Sequence, residues 1–166
     1  MKKILLLGIS GTGKSSVINF LVARGYKAVD ADTPTWCEWI TVANGVDEFG
    51  STVEPDRDWV WREDRIDSLL ATEDAALLFV SGCPTNVAKF FPHFDHIVLL
   101  SAPTPVIVGR LAARTDNLYG KQPHEVARVL SLKKEVEPRL RTVAGYEIDT
   151  AAPLKEVVET LLRLVR

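Results

Sequence analysis

The sequence predicts an α/β domain built on a mainly parallel sheet. Three observations carry that prediction. Short, continuously apolar runs recur along the chain, segments with helical spacing of apolar residues separate them, and a glycine-rich loop joins the first run to the first helix. At 166 residues, 46% hydrophobic and 25% charged, the chain fits a single domain, 1–166, with one main core; neither disorder nor a disulfide scaffold suits that composition.

The elements follow in order. Lys3 to Leu7 is short and apolar throughout, as a strand buried on both faces should be. Gly8 to Gly13 breaks it. From Lys14 to Arg24, Val17, Ile18, Leu21 and Val22 form one stripe of an amphipathic helix, and Gly25 is its expected stop. Lys27 to Asp30 makes the second strand. Thr33-Pro34 reads as an N-cap and first-turn pair opening a helix to about Ala43. Residues 44–58 read as an irregular excursion, and a weaker helical pattern runs from about Pro55 to Ala71. Ala76 to Ser81 is the third strand and Ile97 to Ser101 the fourth. Thr104-Pro105 opens a helix reaching Arg114, and Thr115 to Pro123 is polar and loop-like. The helical stretch from His124 to about Ala144 contains Pro138, which must kink or divide it. Tyr146 to Asp149 is the fifth strand, and Pro153 to Val165 closes the chain as a helix with Leu154, Val157, Val158, Leu161, Leu162 and Val165 on one side. Strands alternating with helices imply right-handed crossovers.

Charge and cysteine usage narrow the partners. With 20 basic and 22 acidic residues the net charge is −2, which offers no basic excess for a polyanion, so nucleic acid is not an expected partner. Cys37 and Cys83 lack metal-ligand spacing and suit reduced thiols in a reducing compartment. Met1-Lys2-Lys3 resembles the basic flank of a signal peptide, yet only Ile4 to Leu7 follow before Gly8, short of the roughly 7–15 apolar residues such a signal needs. No run reaches the roughly 18 apolar residues of a membrane span, so a cytoplasmic location without a membrane partner is expected. His93, His96 and His124 are too scattered for a metal site, and Ser10 and Ser15 lie in no G-x-S-x-G pattern.

The chemistry is concentrated in Gly8-Ile9-Ser10-Gly11-Thr12-Gly13-Lys14-Ser15, which satisfies G-x-x-x-x-G-K-[ST] in full between a buried strand and a helix start. Gly8, Gly11 and Gly13 let the backbone curl so that the amides from Gly11 through Thr12, Gly13, Lys14 and Ser15 to Ser16 point inward as an anion nest, reinforced by the helix N-terminus. Lys14 is placed to reach the β- and γ-phosphates, and the Ser15 hydroxyl to ligate Mg²⁺. Nucleoside triphosphate binding is therefore the primary expectation. The third strand, Leu77-Leu78-Phe79-Val80-Ser81, lacks the terminal acid of a hydrolytic site, and no guanine-reading Asn-Lys-x-Asp pattern occurs.

Over nearly its whole length the chain resembles the small P-loop kinases, the group of shikimate kinase, gluconate kinase and adenylate kinase. The GTGKS loop is one point of resemblance. Asp30-Ala31-Asp32 is similar to the Asp-x-Asp of shikimate kinases, which implies that Asp32 contacts the acceptor hydroxyl while Asp30 lies near Mg²⁺. Trp61-Arg62-Glu63 resembles the stretch that carries an acceptor-binding arginine, and Ser81-Gly82 stands where the family has glycines approaching the acceptor. Arg110 and Arg114 fall on the helix leading into a lid, and Glu147 to Thr150 resembles the strand before the adenine-side loop. The resemblance implies a P-loop nucleoside-triphosphate-binding fold, a five-stranded parallel sheet in order 2-3-1-4-5, with an acceptor lobe over 33–75 and a lid over 114–124. Two departures set it apart from shikimate kinase itself: Val136-Glu137-Pro138 replaces Arg-Glu-Pro, and the glycine run is reduced to Gly82.

The expected function is transfer of the ATP γ-phosphoryl group, with Mg²⁺, to a hydroxyl or phosphate of a small metabolite, nucleoside or nucleotide, by a monomer or weak homodimer. Lys14, Asp32 and Arg114 are the expected catalytic residues. Gly8, Gly11, Thr12, Gly13, Lys14, Ser15, Ser16, Arg110 and Arg114 would hold the nucleotide, Asp32, Arg62 and Gly82 the acceptor, and Ser15 and Asp30 the metal. Plainer roles stand beside these: turn carboxylates for Asp30 and Asp32, a solvated basic stripe for Arg110 and Arg114, and for Arg62 a salt bridge with an acid such as Asp58. Trp36, Trp39, Trp59 and Trp61 either line the acceptor pocket or pack a small helical lobe. The alternative function is an ATP-dependent regulatory or binding protein with slow ATPase activity.

Overall fold

In a strand buried on both faces, successive side chains enter opposite cores. In the computed structural model, which describes residues 1–42, 56–166 and the backbone of 46–47 and 50–51, β1 (Lys2–Leu7) does this: Leu5 and Leu7 enter one core and Ile4 and Leu6 the other, all fully buried. The chain leaves β1 through the glycine loop into α1 (Lys14–Ala23), whose Val17, Ile18 and Leu21 pack on the Ile4 face. Gly25 ends that helix as expected, in the left-handed conformation at φ +81°. β2 (Lys27–Asp30) follows.

The next segment departs from the sequence reading. Instead of a helix from Thr33 to Ala43, the chain makes one turn, with the amides of Trp36 and Cys37 donating to the Thr33 carbonyl, and then extends as β3 (Cys37–Thr41). Two-residue strands β4 (Val46–Asp47) and β5 (Gly50–Ser51) pair with each other; the rest of the expected excursion, and the Pro55 helix start, lie outside the described residues. β6 (Arg57–Trp61) occupies what was expected to be helix, and α2 is confined to Glu63–Leu70. β3 and β6 pair antiparallel, Cys37 opposite Trp61, Trp39 opposite Trp59 and Thr41 opposite Arg57. Aromatic and β-branched residues at alternate positions favour this pairing over a helix. The Trp39 and Trp59 rings lie 5.1 Å apart, with the Arg57 guanidinium 4.2 Å over Trp39. The expected helical lobe is thus a β-ribbon with one helix.

β7 (Leu77–Ser81), a 3₁₀ turn (Val87–His93), β8 (His96–Ser101) and α3 (Thr104–Ala113) come next. Pro138, without an N–H, divides the long helical stretch into α4 (Pro123–Glu135) and α5 (Glu137–Val143). β9 (Tyr146–Asp149) and α6 (Leu154–Val165) complete the chain. The central sheet is parallel throughout, in order β2-β7-β1-β8-β9. Counting only its five strands, that is the expected 2-3-1-4-5. α1 and α6 cover one face; α2, the 3₁₀ turn and α5 cover the other. Among the described residues no helix is long and apolar enough to cross a membrane.

Candidate active site

Open α/β sheets bind ligands beyond the carboxyl ends of their strands. Here those ends face a cleft of about 570 Å³, lined by the glycine loop, Asp30 and Asp32 after β2, residues 83–85 after β7, Thr150 after β9, and side chains of α3 and α4. The loop is built as its sequence requires. A Cβ on Gly8 would lie 2.5 Å from Thr12 Oγ1 and 2.6 Å from the Leu100 carbonyl oxygen, and Gly11 and Gly13 take left-handed φ values of +85° and +89°. The Thr12 side chain is fully buried and donates to the Ile9 carbonyl at 2.8 Å, so it braces the loop from beneath. Lys14 Nζ lies across the loop mouth, donating to the carbonyls of Gly8 (2.6 Å) and Ile9 (3.0 Å). Ser15 and Ser16 line the cleft beside it.

Ser15 Oγ donates to Asp30 Oδ2 at 2.5 Å. The other oxygen of Asp30 accepts from Ser81 Oγ at 3.3 Å and from the Asp32 amide at 3.2 Å. A hydroxyl and a carboxylate in contact are two hard oxygen donors, and among the described residues no group of three His, Cys, Asp or Glu side chains converges. That donor set fits Mg²⁺, which is commonly held by one or two side chains together with substrate phosphates and water.

Strict strand alternation would leave only one of Asp30 and Asp32 facing the cleft. β2 ends at Asp30, however, and the bend that follows brings both to its lining. Asp32 Oδ1 accepts from the Trp59 indole N–H at 3.0 Å, so the ribbon holds this carboxylate. Arg110 reaches the Thr150 hydroxyl (2.8 Å), the Thr150 carbonyl (2.5 Å) and the Gly11 carbonyl (3.4 Å). Arg114 donates to Ser10 Oγ at 3.2 Å and to the Tyr119 carbonyl. Burial pulls both guanidiniums below their ordinary pKa, partly opposed by Asp149 for Arg110 and by Asp116 and Asp32 for Arg114.

Two expected acceptor residues stand elsewhere. Arg62 is outside the cleft lining: its guanidinium donates to Glu38 at 3.0 Å and to the Cys37 carbonyl at 3.1 Å, making an ion pair with Glu38 in place of the Asp58 considered above. Gly82 is also absent from the lining; it lies under Trp61, where a Cβ would come within 2.9 Å of the indole. Buried Trp61 donates through its indole N–H to the Ala31 carbonyl and is core rather than pocket wall. Thr85 and Arg128, which the sequence reading did not single out, and Thr150, which it gave only as the end of the strand before the adenine-side loop, all line the cleft. The spacing of Arg128, Leu132 and Val136, four residues apart on one helical face, was the available signal for Arg128.

No family model matches the chain, and no curated protein matches it. Solved structures do. The shikimate kinase from Acinetobacter baumannii in complex with shikimate superposes with a TM-score of 0.64 at 19% identity, covering 99% of this chain and 93% of that one. A gluconokinase from Sinorhizobium meliloti 1021 gives 0.61 at 23% identity, with 99% and 93% covered. The deoxyadenosine kinase from M. mycoides with bound dATP gives 0.61 at 12% identity, with 99% and 98% covered. The chain has the fold of the small P-loop kinases. Within that fold the phosphate loop, the Ser15–Asp30 pair and Asp32 share one cleft, which Arg110 of α3 and Arg114 just beyond its end also line.

Proposed function

We propose that the protein is an ATP-dependent small-molecule kinase. The observation that carries this reading is the meeting, in one cleft, of a complete phosphate loop, a hydroxyl–carboxylate pair fit for Mg²⁺, and a second carboxylate held in place by Trp59. The loop amides and Lys14 hold the β- and γ-phosphates, while Arg110 and Arg114 hold the nucleotide from α3. Ser15 and Asp30 would hold Mg²⁺, which when bound offsets charge on the phosphates. Asp32 orients the acceptor and receives the proton of its hydroxyl. Phosphoryl transfer asks mainly for positioning and charge neutralisation, and these residues supply both. The end of β7 is Ser81 rather than an acid, which supports transfer to an acceptor over a hydrolytic switch. The test is ADP release from Mg·ATP across pools of metabolites and nucleosides. Acceptor-dependent release above the protein's own background is expected. If no pool raises turnover and a protein partner binds only the ATP form, the regulatory reading replaces this one.

A further inference from the structure

Behind the Ser15–Asp30 pair stands a third hydroxyl. β7 lies between β2 and β1, and Ser81, its last residue, is the register partner of Asp30 on β2. Strand alternation puts Ser81 on the same face as Leu77 and Phe79, which pack with Val17, Ile18 and Leu21 of α1. Register partners on parallel strands share a face, so Asp30 also stands on the side of α1, the helix whose first turn carries Ser15.

Ser81 is fully buried, and a hydroxyl so placed needs a partner. It donates to Asp30 Oδ1 at 3.3 Å, and the Asp32 amide donates to the same oxygen at 3.2 Å. The torsion that turns the carboxylate of an aspartate is soft, so its hydrogen-bond partners fix the plane. Here two donors hold Oδ1 and leave Oδ2 to Ser15 Oγ, 2.5 Å away. The Ser81 carbonyl accepts from the Ala31 amide at 2.8 Å, so the same residue also anchors the backbone between the two aspartates.

Resting on the kinase reading above, we infer that Ser81 is a positioning residue for the metal site, its hydroxyl setting the plane of Asp30 so that one carboxylate oxygen stays beside Ser15. The strand end that carries an acid in a hydrolytic site carries here a hydroxyl that acts on the carboxylate of the neighbouring strand. Ser81 is outside the cleft lining, so its effect passes through Asp30.

The test is the metal dependence of nucleotide affinity, read by calorimetric titration of the full chain with a non-hydrolysable ATP analogue, once in Mg²⁺ and once in EDTA. The parent should bind the analogue more tightly in Mg²⁺. Ser81→Ala keeps the packing and loses the donor; it should lower the ratio of the two affinities by about threefold or more while affinity in EDTA stays within about twofold of the parent. Asp30→Asn should also lower the ratio, and Ser81→Ala should then lower it no further, as expected of a residue that acts through Asp30. An unchanged ratio in Ser81→Ala, a loss that is equal in EDTA, or the same further loss on top of Asp30→Asn overturns the assignment, as does a parent whose affinity Mg²⁺ does not raise. No binding of the analogue in either condition overturns the kinase reading itself, and this inference with it.

Discussion

In the proposed transfer, Lys14 is the residue on which the chemistry depends most directly. Its ammonium lies over the loop carbonyls of Gly8 and Ile9, and on the kinase reading it would neutralise charge on the transferring group. Lys14→Ala should reduce acceptor-dependent ADP release by about 10³-fold or more, because charge stabilisation in a dry site is worth several kcal/mol, while circular dichroism and the unfolding midpoint without nucleotide stay close to the parent. Unchanged turnover would remove Lys14 from the mechanism. Arg62 makes the opposite case. Its fork is satisfied by Glu38 and the Cys37 carbonyl, and about a third of its side chain is exposed. Arg62→Ala should therefore leave acceptor affinity and turnover intact. A double-mutant cycle with Glu38→Ala should give a coupling of about 0.2–1 kcal/mol in urea unfolding, typical of an ion pair open to water. A large loss of acceptor binding in Arg62→Ala would return it to the site.

At the scale of elements, the connection between the glycine loop and the turn after β9 rests on Thr150. Its buried hydroxyl lies 2.8 Å from the Thr12 carbonyl and accepts from Arg110, so one side chain ties the phosphate loop to α3 and to the end of β9. Thr150→Val keeps the volume but leaves the Thr12 carbonyl and a guanidinium nitrogen short of a partner. It should cost about 1–3 kcal/mol in urea unfolding and weaken ADP binding, with Thr150→Ser restoring most of both. Little of this bolt was legible in the sequence, because it joins residues 138 positions apart. What was legible had a local cause. The strand–loop–helix unit, the five strands and the break at Pro138 each follow from apolar period, glycine placement or a missing N–H. The ribbon was not. Thr33-Pro34 does start a turn, but beyond it Cys37–Thr41 and Arg57–Trp61 prefer to pair across the chain, and short aromatic segments suit a helix period nearly as well as a strand period. The role of Arg62 was lost with it, since its partner Glu38 stands on β3. Asp30 and Asp32 were named from the sequence, but strand alternation alone would turn only one of them to the cleft, and the bend after β2 that brings both to its lining is not visible in the pattern.

For the whole molecule, the ribbon must stay docked on the sheet if Trp59 is to hold Asp32, and Cys37 sits in that junction. Its side chain is fully buried in the core shared by Ala31, Trp61 and Leu78, and the thiol donates to the Ala31 carbonyl at 3.1 Å. Burial pushes its pKa well above the ordinary thiol value, and the nearby carboxylates of Asp32 and Asp30 add to the shift. The sign follows from proton counting. Above an ordinary thiol pKa of about 8.5 the unfolded chain gives up the Cys37 proton while the folded chain keeps it, so the unfolded state binds fewer protons and stability falls as pH rises. The contribution is fully present below that pH and is lost progressively toward the raised folded value. One such group changes unfolding free energy by up to about 1.4 kcal/mol per pH unit. Cys37→Ala lacks the titration and incurs a packing loss that does not depend on pH. Urea unfolding of both proteins between pH 7 and 10.5 should give two roughly parallel curves up to about pH 8 that then converge, the parent falling more steeply. Curves that stay parallel across the whole range would mean that Cys37 ionises as readily in the folded chain as in the unfolded one, and that the junction between ribbon and sheet is open to water.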